Sequence, residues 1–240
     1  MHIDTSTTVR DLTAGIPGAT RIFEARRIDY CCGGACSLAE ACATAGVRAE
    51  DLLVELEQAA EWAAEPDDPI QWEHEKLADL AKHIVERHHT YTRQELERLD
   101  GLSRKVLAAH GDKHPELKTV HELFEAMGED LLPHLNKEEI ILFPYIEDLE
   151  TSRRAGRARP FAPFGTVDGP IRGMMHDHDH VGGMLRQMRA LTRDYYPPDG
   201  ACDSWKALYA GLEAFEHDLH EHMHLESNVL FPRALAMERS

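Results

Sequence analysis

Two stretches of the sequence place a histidine and a glutamate four residues apart, in the pattern His-x-x-x-Glu-x-x-x-Leu-Phe-Pro. One runs from His134 to Pro144, and the other runs from His222 to Pro232, 88 residues later. Upstream of each stretch lies another histidine, His89 in the first half and His178, 89 residues later, in the second. Residues four apart lie on one face of a helix, so each pair aims an imidazole and a carboxylate in the same direction.

Leucines flank both pairs, which indicates that the pairs face inward, where a charged group is costly unless it is paired or ligated. A single pair of this kind is most often an exposed hydrogen bond, and a bundle with incidental histidines is the alternative. The duplication favours two first-row metal ions bridged by two carboxylates, with iron preferred and manganese, zinc or copper permitted. Ferritin-like bundles instead use Glu-x-x-His. The predicted ligands are His89, His134, Glu138, His178, His222 and Glu226.

Two further histidines bear on this centre. His88 precedes His89 directly, which leaves a one-residue ambiguity about the first ligand. His83 lies six residues before His89, nearly on the same helical face, and is a candidate to support a ligand from outside.

The cysteines form the second reactive group. Cys31 and Cys32 are adjacent and are followed by two glycines, and a helix is predicted to begin after Ser37. The positive end of that helix should lower a thiolate pKa, which indicates a reactive thiol pair. A structural turn with inert thiols is the alternative. Cys36 and Cys42 can complete a four-thiolate metal site, but no Cys-x-x-Cys pair supports one.

Helical patterns must position these groups, and no segment shows the alternation of a strand. A small helical domain, residues 1–64, precedes an acidic, proline-bounded linker, and residues 70–240 form a second domain. Two similar helical hairpins in the second domain predict an all-α fold with a four-helix bundle. Ser37 and Glu40 form a capping box for a helix that stops at Gly46. The long helices are expected at about residues 72–110, 115–149, 171–196 and 201–237.

Composition narrows the class of protein. The net charge of −17 argues against nucleic-acid and anionic-membrane partners, which need clustered basic residues. Sixteen histidines in 240 residues point to metal. The start of the chain lacks a signal-peptide pattern, no apolar run is long enough for a membrane span, and the five cysteines are an odd number. We therefore expect a cytoplasmic protein with reduced thiols.

The motifs "IDYCCGG", "HDHVG", "HLNKEEIILFP" and "HLESNVLFPRAL" together resemble the RIC (repair of iron centres) family, which joins an N-terminal CCGG domain to a hemerythrin-like di-iron bundle. The resemblance implies the same six ligands and two non-haem irons with oxo and carboxylate bridges. It also implies repair of iron–sulfur clusters damaged by oxidative or nitrosative stress, with damaged iron–sulfur proteins and the diatomics NO and O2 as partners, and a homodimer.

The resemblance leaves two other activities open, an NO-reducing di-iron enzyme and an O2- or NO-binding sensor. Catalysis in the ordinary sense is uncertain, and Cys31 and Cys32 would relay iron or electrons. The family's Glu-His-Asp element has Asp177 in place of the glutamate, so Asp177 joins His83 as a candidate to support a ligand. A basic loop with Arg153, Arg154, Arg157 and Arg159 has no assigned role, and we expect it to be solvated and flexible.

Overall fold

The computed structural model describes residues 3–16, 19–30, 33–62 and 72–239. Four short helices form the N-terminal unit: α1 (Val9–Gly15), α2 (Ala19–Ala25), α3 (Leu38–Ala45) and α4 (Ala49–Trp62). They enclose a small apolar core that includes Leu12, Phe23, Tyr30, Leu38 and Leu52. The predicted linker lies outside the described residues, as do Cys31 and Cys32.

Helix α3 begins and ends where its sequence predicts. The Ser37 hydroxyl accepts a hydrogen bond from the Glu40 amide, and the Glu40 carboxylate accepts one from the Ser37 amide, which is a complete capping box. Gly46 ends the helix with a φ of 68°, a left-handed conformation that glycine adopts without strain. The predicted capping box and stop are therefore confirmed.

Four long helices form the rest of the described chain. Helix α5 joins Leu77–His83, a π-helical turn at Ile84–His89, and Thr90–His110. Helix α6 joins Glu116–Lys137, a π-helical turn at Glu138–Leu142, and Phe143–Arg154. Helix α7 is Asp168–Leu191, and helix α8 joins Asp203–His224, a π-helical turn at Leu225–Leu230, and Phe231–Arg239. The described residues contain no strand, so the prediction of an all-α fold with a four-helix bundle is confirmed.

The Leu-Phe-Pro element accounts for two of the π-helical turns. Proline has no amide hydrogen, so Pro144 and Pro232 cannot continue the ordinary helical bonding. The amide one position earlier, on Phe143, donates to the Glu138 carbonyl five residues back, and the Phe231 amide donates in the same way to the Glu226 carbonyl. Each glutamate of the repeat thus begins, or lies within, a widened turn, and such turns are common at functional sites.

The bundle has two apolar cores with a polar layer between them. One core includes Leu99, Phe124 and Phe215, and the other includes Ile146 and Leu230. Along each long helix, the histidines and glutamates of the repeat lie where one core meets the other. The cores therefore hold the polar layer in fixed position from both ends.

Helix α7 ends at Leu191, before the expected position. Arg193, Asp194 and Tyr195 all have positive φ values, 52°, 59° and 57°, which an α-helix cannot contain. The Thr192 hydroxyl accepts a hydrogen bond from the Tyr195 amide at 3.1 Å. The Tyr195 hydroxyl donates to Glu216 of α8 at 2.5 Å, so a tertiary contact helps to stabilise this ending.

Most residues of the basic segment from Arg153, in the last turn of α6, to Val167 are exposed, as expected, but two of its arginines also contact α8. Arg153 donates to the Met237 carbonyl at 3.0 Å, and Arg159 lies 3.6 Å from the Glu238 carboxylate, both on α8. Val167 at the end of the loop is fully buried. Because the arginines bind the end of α8, the loop closes one end of the bundle.

None of the described helices combines the length and the apolar character that crossing a membrane requires.

Candidate metal centre

The structure brings six buried side chains together in the polar layer of the bundle. Their ligating atoms form two groups, and within each group all of these atoms lie within 4.8 Å of one another. Both groups share the same two glutamates. One group adds His89 and His222, and the other adds His134 and His178. All six residues are at most 2 % exposed: His89, His134, Glu138, His178, His222 and Glu226.

The two glutamates each face both histidine pairs. Oε2 of Glu138 lies 3.5 Å from Nε2 of His89, and its Oε1 lies 3.4 Å from Nε2 of His134. Oε1 of Glu226 lies 2.9 Å from Nε2 of His222, and its Oε2 lies 3.1 Å from Nε2 of His178. One oxygen of each carboxylate is thus directed to each pair, which is the arrangement that bridging carboxylates need.

The polar atoms at the centre of this layer fit metal ions. Nε2 of His89 lies 3.1 Å from Nε2 of His222, and Nε2 of His178 lies 3.2 Å from Nε2 of His134. Among the described residues, neither carboxylate oxygen of Glu138 has a hydrogen-bond partner. Buried unpaired carboxylate oxygens are costly, and a cation between them would be a partner for the carboxylate oxygens and for the imidazole Nε2 atoms. Imidazole and carboxylate together suit first-row metals such as iron, manganese and zinc.

The position after each glutamate supports a histidine from the neighbouring helix. Nδ1 of His89 lies 2.7 Å from Oε1 of Glu139, and Nδ1 of His178 lies 3.1 Å from the Ser227 hydroxyl. Contacts of this kind fix the ring so that Nε2 faces the centre. Sequence reasoning missed both partners, although the repeat contains the signal, since Glu139 and Ser227 occupy equivalent places 88 residues apart.

The residue before His178 and the residue before His89 each contact a histidine of the other helical hairpin. Nδ1 of His134 lies 3.2 Å from Oδ2 of Asp177, which is where a residue that supports a ligand must lie. At the equivalent place in the first half, the His88 ring stacks on His222 with centroids 5.7 Å apart. His88 also pairs with buried Asp218 at 3.2 Å, so His89 and not His88 lies in the group of six. His83 contacts the His88 ring rather than one of the six.

Without metal, the buried carboxylates retain protons on nearby imidazoles. Burial alone would lower the pKa of His89, but Glu138 and Glu226 raise it to about 10. Burial likewise opposes protonation of His134, but Glu138 and Glu226 raise its pKa to about 9. Burial opposes ionisation of Glu226, but the neighbouring imidazoles hold its pKa well below the usual range. A bound cation would therefore displace protons from this layer.

A cavity of about 10 Å³ lies beside the centre, between α6, α7 and α8. Its wall is apolar, with Leu131, Val181 and Leu219 among its residues, and Asp130 and Asp177 lie at its outer end. His134 and His178 also line it, so the cavity lies directly beside one histidine pair of the centre.

The N-terminal unit packs against the outer face of α8. The Asn228 amide donates to the Tyr30 carbonyl at 2.9 Å, and the Arg10 guanidinium donates to Oδ1 of Asn228 at 2.8 Å. The Tyr30 ring lies 5.5 Å from the ring of His224. Asn228 and His224 are each two residues from Glu226, so docking and the centre share one turn of helix.

The described part of the N-terminal unit contains two of the four clustered cysteines. Cys31 and Cys32 lie outside the described residues, although Tyr30 and Gly34 on either side of them both contact Asn228. Cys36 and Cys42 are free thiols, and burial raises the pKa of each. Among the described residues, no cysteine joins a group that can hold a metal.

Comparison with known proteins agrees with this architecture. The hemerythrin HHE cation binding domain matches residues 80–234, and ScdA_N, a domain of unknown function (DUF542), matches residues 5–60. Iron-sulfur cluster repair proteins YtfE from Pectobacterium atrosepticum and Musicola paradisiaca are 36% and 39% identical over 228 residues, and one from Yersinia pseudotuberculosis is 37% identical over 227. Each match covers 95% of this chain and 96% of the relative. The chain therefore belongs to the hemerythrin HHE cation-binding family and, over nearly its whole length, to the family of iron–sulfur cluster repair proteins.

Proposed function

We propose that this protein is a di-iron protein that helps to restore iron–sulfur clusters damaged by oxidative or nitrosative stress, by supplying iron from its bundle. The observation that carries the proposal is the pair of ligand groups that share Glu138 and Glu226, in a chain whose relatives are named for cluster repair. His89 and His222 would hold one iron, and His134 and His178 would hold the other.

The residues of the chain account for binding and for release. Two irons, when bound, supply a pair of ions that can change oxidation state and accept a small ligand. Glu138 and Glu226 present one oxygen to each histidine pair, so either carboxylate can keep contact with one position after losing the other. Two imidazoles and two shared carboxylates at each position leave coordination places open, in contrast to a closed structural site.

Cys31 and Cys32 are proposed as the thiols that pass iron or electrons between the centre and a client protein. The flanking residues support this role, because Tyr30 and Gly34 contact the turn of α8 that carries Glu226. Arg10 strengthens the same contact through Asn228.

The direct test is metal analysis with Mössbauer and optical spectroscopy of anaerobically purified protein, followed by transfer of ⁵⁷Fe to an enzyme whose iron–sulfur cluster has been damaged by NO. We expect two irons per chain and recovery of the client's activity. A Glu138→Ala variant, which lacks one shared carboxylate, should lose both. Stoichiometric zinc in protein purified from cells, with no di-iron optical bands, would contradict the proposal.

A second candidate function is the binding or reduction of NO, or the sensing of NO or O2. The small apolar cavity beside His134 and His178 favours it, because it offers space next to the centre to a molecule about the size of water, such as a diatomic. Replacing both Cys31 and Cys32 by serine separates the functions. Cluster repair should weaken if the thiols pass iron, whereas NO reduction at the bundle should survive.

The division into residues 1–64 and 70–240, and the homodimer, stay predictions. Limited proteolysis should cut the chain between those ranges and release a stable bundle fragment, and light scattering of the intact protein should give twice the mass of one chain.

A further inference from the structure

The two histidine pairs differ in how they are enclosed. At the pair formed by His89 and His222, called here the inner position, Phe143 stacks on the His89 ring at 5.8 Å and His88 stacks on the His222 ring at 5.7 Å. Glu139 holds His89 at 2.7 Å and itself accepts a hydrogen bond of 2.7 Å from Arg93. The inner position is therefore covered by rings and braced by an ion pair.

The pair formed by His134 and His178, called here the outer position, has one stacked ring, Phe231 on His178 at 6.2 Å, and weaker polar support. Asp177 holds Nδ1 of His134 at 3.2 Å, and the Asp177 side chain is 35% exposed. The support of His178 is a neutral hydroxyl, Ser227, at 3.1 Å. The Asp177 contact is longer than that of Glu139, 3.2 Å against 2.7 Å, and its nearest cation, Lys137, lies 3.9 Å away against 2.7 Å for Arg93, so this brace is easier to break.

The cavity makes the same distinction. Both histidines of the outer position line it, and Asp177 lies at its outer end together with Asp130. From the inner position only His222 reaches the cavity, and His89 is completely buried. The outer position thus lies nearer to solvent, beside two partly exposed carboxylates that are oxygen ligands for a departing Fe²⁺.

We propose that the outer position, His134 with His178, releases its iron first, and that Asp177 is the positioning residue that sets the rate of this release. The inference rests on the proposed function and names the half of the site that supplies iron. Release would break the bonds from Fe²⁺ to its imidazole and carboxylate ligands without electron transfer, and protons from solvent would take the place of the ion in this layer. Asp177 slows release because it keeps Nε2 of His134 directed at the ion, and loss of such support typically weakens metal binding 10–100-fold.

The test measures iron loss from intact, fully loaded, reduced protein mixed with the chelator ferrozine. We expect two phases of equal amplitude, one iron per chain in each. Asp177→Ala should accelerate only the fast phase, by roughly tenfold or more, and Asp177→Asn, which keeps an acceptor without its charge, should have a smaller effect. Glu139→Ala should accelerate only the slow phase. Asp112→Ala, a change at an exposed aspartate outside the centre, should alter neither phase.

Crystals of half-depleted protein provide an independent assignment, because anomalous scattering should place the remaining iron between His89 and His222. Remaining iron between His134 and His178 would overturn the proposal. So would equal rates for both irons, or acceleration of both phases by Asp177→Ala, which would indicate general loosening of the bundle. Loading of fewer than two irons per chain would instead overturn the proposed function, and the inference with it.

Discussion

Replacing Asn228 by alanine should undock the N-terminal unit from the bundle. The Asn228 side chain joins the two units, because its amide donates to the Tyr30 carbonyl and its Oδ1 accepts from Arg10. The hydrogen bond from a charged donor contributes about 1.5–3 kcal/mol. The lost amide bond to the Tyr30 carbonyl adds about 0.5–1.5 kcal/mol, since Nδ1 of His224 stays 3.4 Å from that carbonyl. Because relaxation and solvent recover part of both, we expect docking to weaken by about 2–4 kcal/mol.

Amide hydrogen exchange of α1 and α3 measures this effect, under conditions in which exchange reports the opening equilibrium. A loss of about 2–4 kcal/mol corresponds to exchange that is roughly 30- to 700-fold faster. Asn136→Ala is the matched control, because Asn136 accepts a hydrogen bond from Arg93 between α5 and α6, and its loss should leave the N-terminal unit unchanged. Combining Asn228→Ala with Arg10→Ala should be less than additive, since both remove the same bond.

Exchange rates in α1 and α3 that stay within about twofold of the parent protein would refute this reasoning. So would full additivity of the two substitutions, because it would mean that Arg10 and Asn228 act independently.

Three further outcomes are expected. In metal-free protein the pKa values of His89 and His134 are raised to about 10 and about 9, so protonation of these histidines stabilises the fold fully below about pH 6.5, and this stabilisation is lost as pH rises through 9–10. The melting temperature of metal-free protein should therefore fall over that range, and loading with iron, which replaces those protons, should abolish the fall. Gly34→Ala should weaken docking of the N-terminal unit, because the new Cβ would lie 2.5 Å from Oδ1 of Asn228. Amide exchange in α3 should then be faster than in the parent protein, and an unchanged rate would contradict the prediction. Glu150→Ala should lower the free energy of unfolding in urea by about 1–3 kcal/mol, because that buried carboxylate accepts hydrogen bonds from the first two amides of α5. A change below about 0.5 kcal/mol, on the order of experimental error, would count against this capping role.

Much of the candidate centre could be predicted from sequence because helix periodicity is a local property. The spacing of His134 and Glu138 places them on one face of any α-helix, and the repeat extends that argument to His222 and Glu226. The same repeat places His89 and His178 in equivalent helices. The structure brings these six residues together, and the all-α class follows from the same patterns.

Other features required the packing of helices that are distant in sequence. The choice between His88 and His89 depends on the π-helical turn at Ile84–His89 and on Asp218, which pairs with His88 across the bundle. The support of His89 by Glu139 spans 50 residues. Sequence alone also could not assign contacts to the basic segment, because the partners of Arg153 and Arg159 lie at the end of α8.

The sequence by itself therefore determined which residues share one face of each helix, since side-chain direction depends only on position along that helix. Only the tertiary structure decided that the two histidine pairs are unequally enclosed and that Asn228 holds the N-terminal unit beside the centre. These features arise from distances between helices, and such distances depend on how both apolar cores pack around the polar layer.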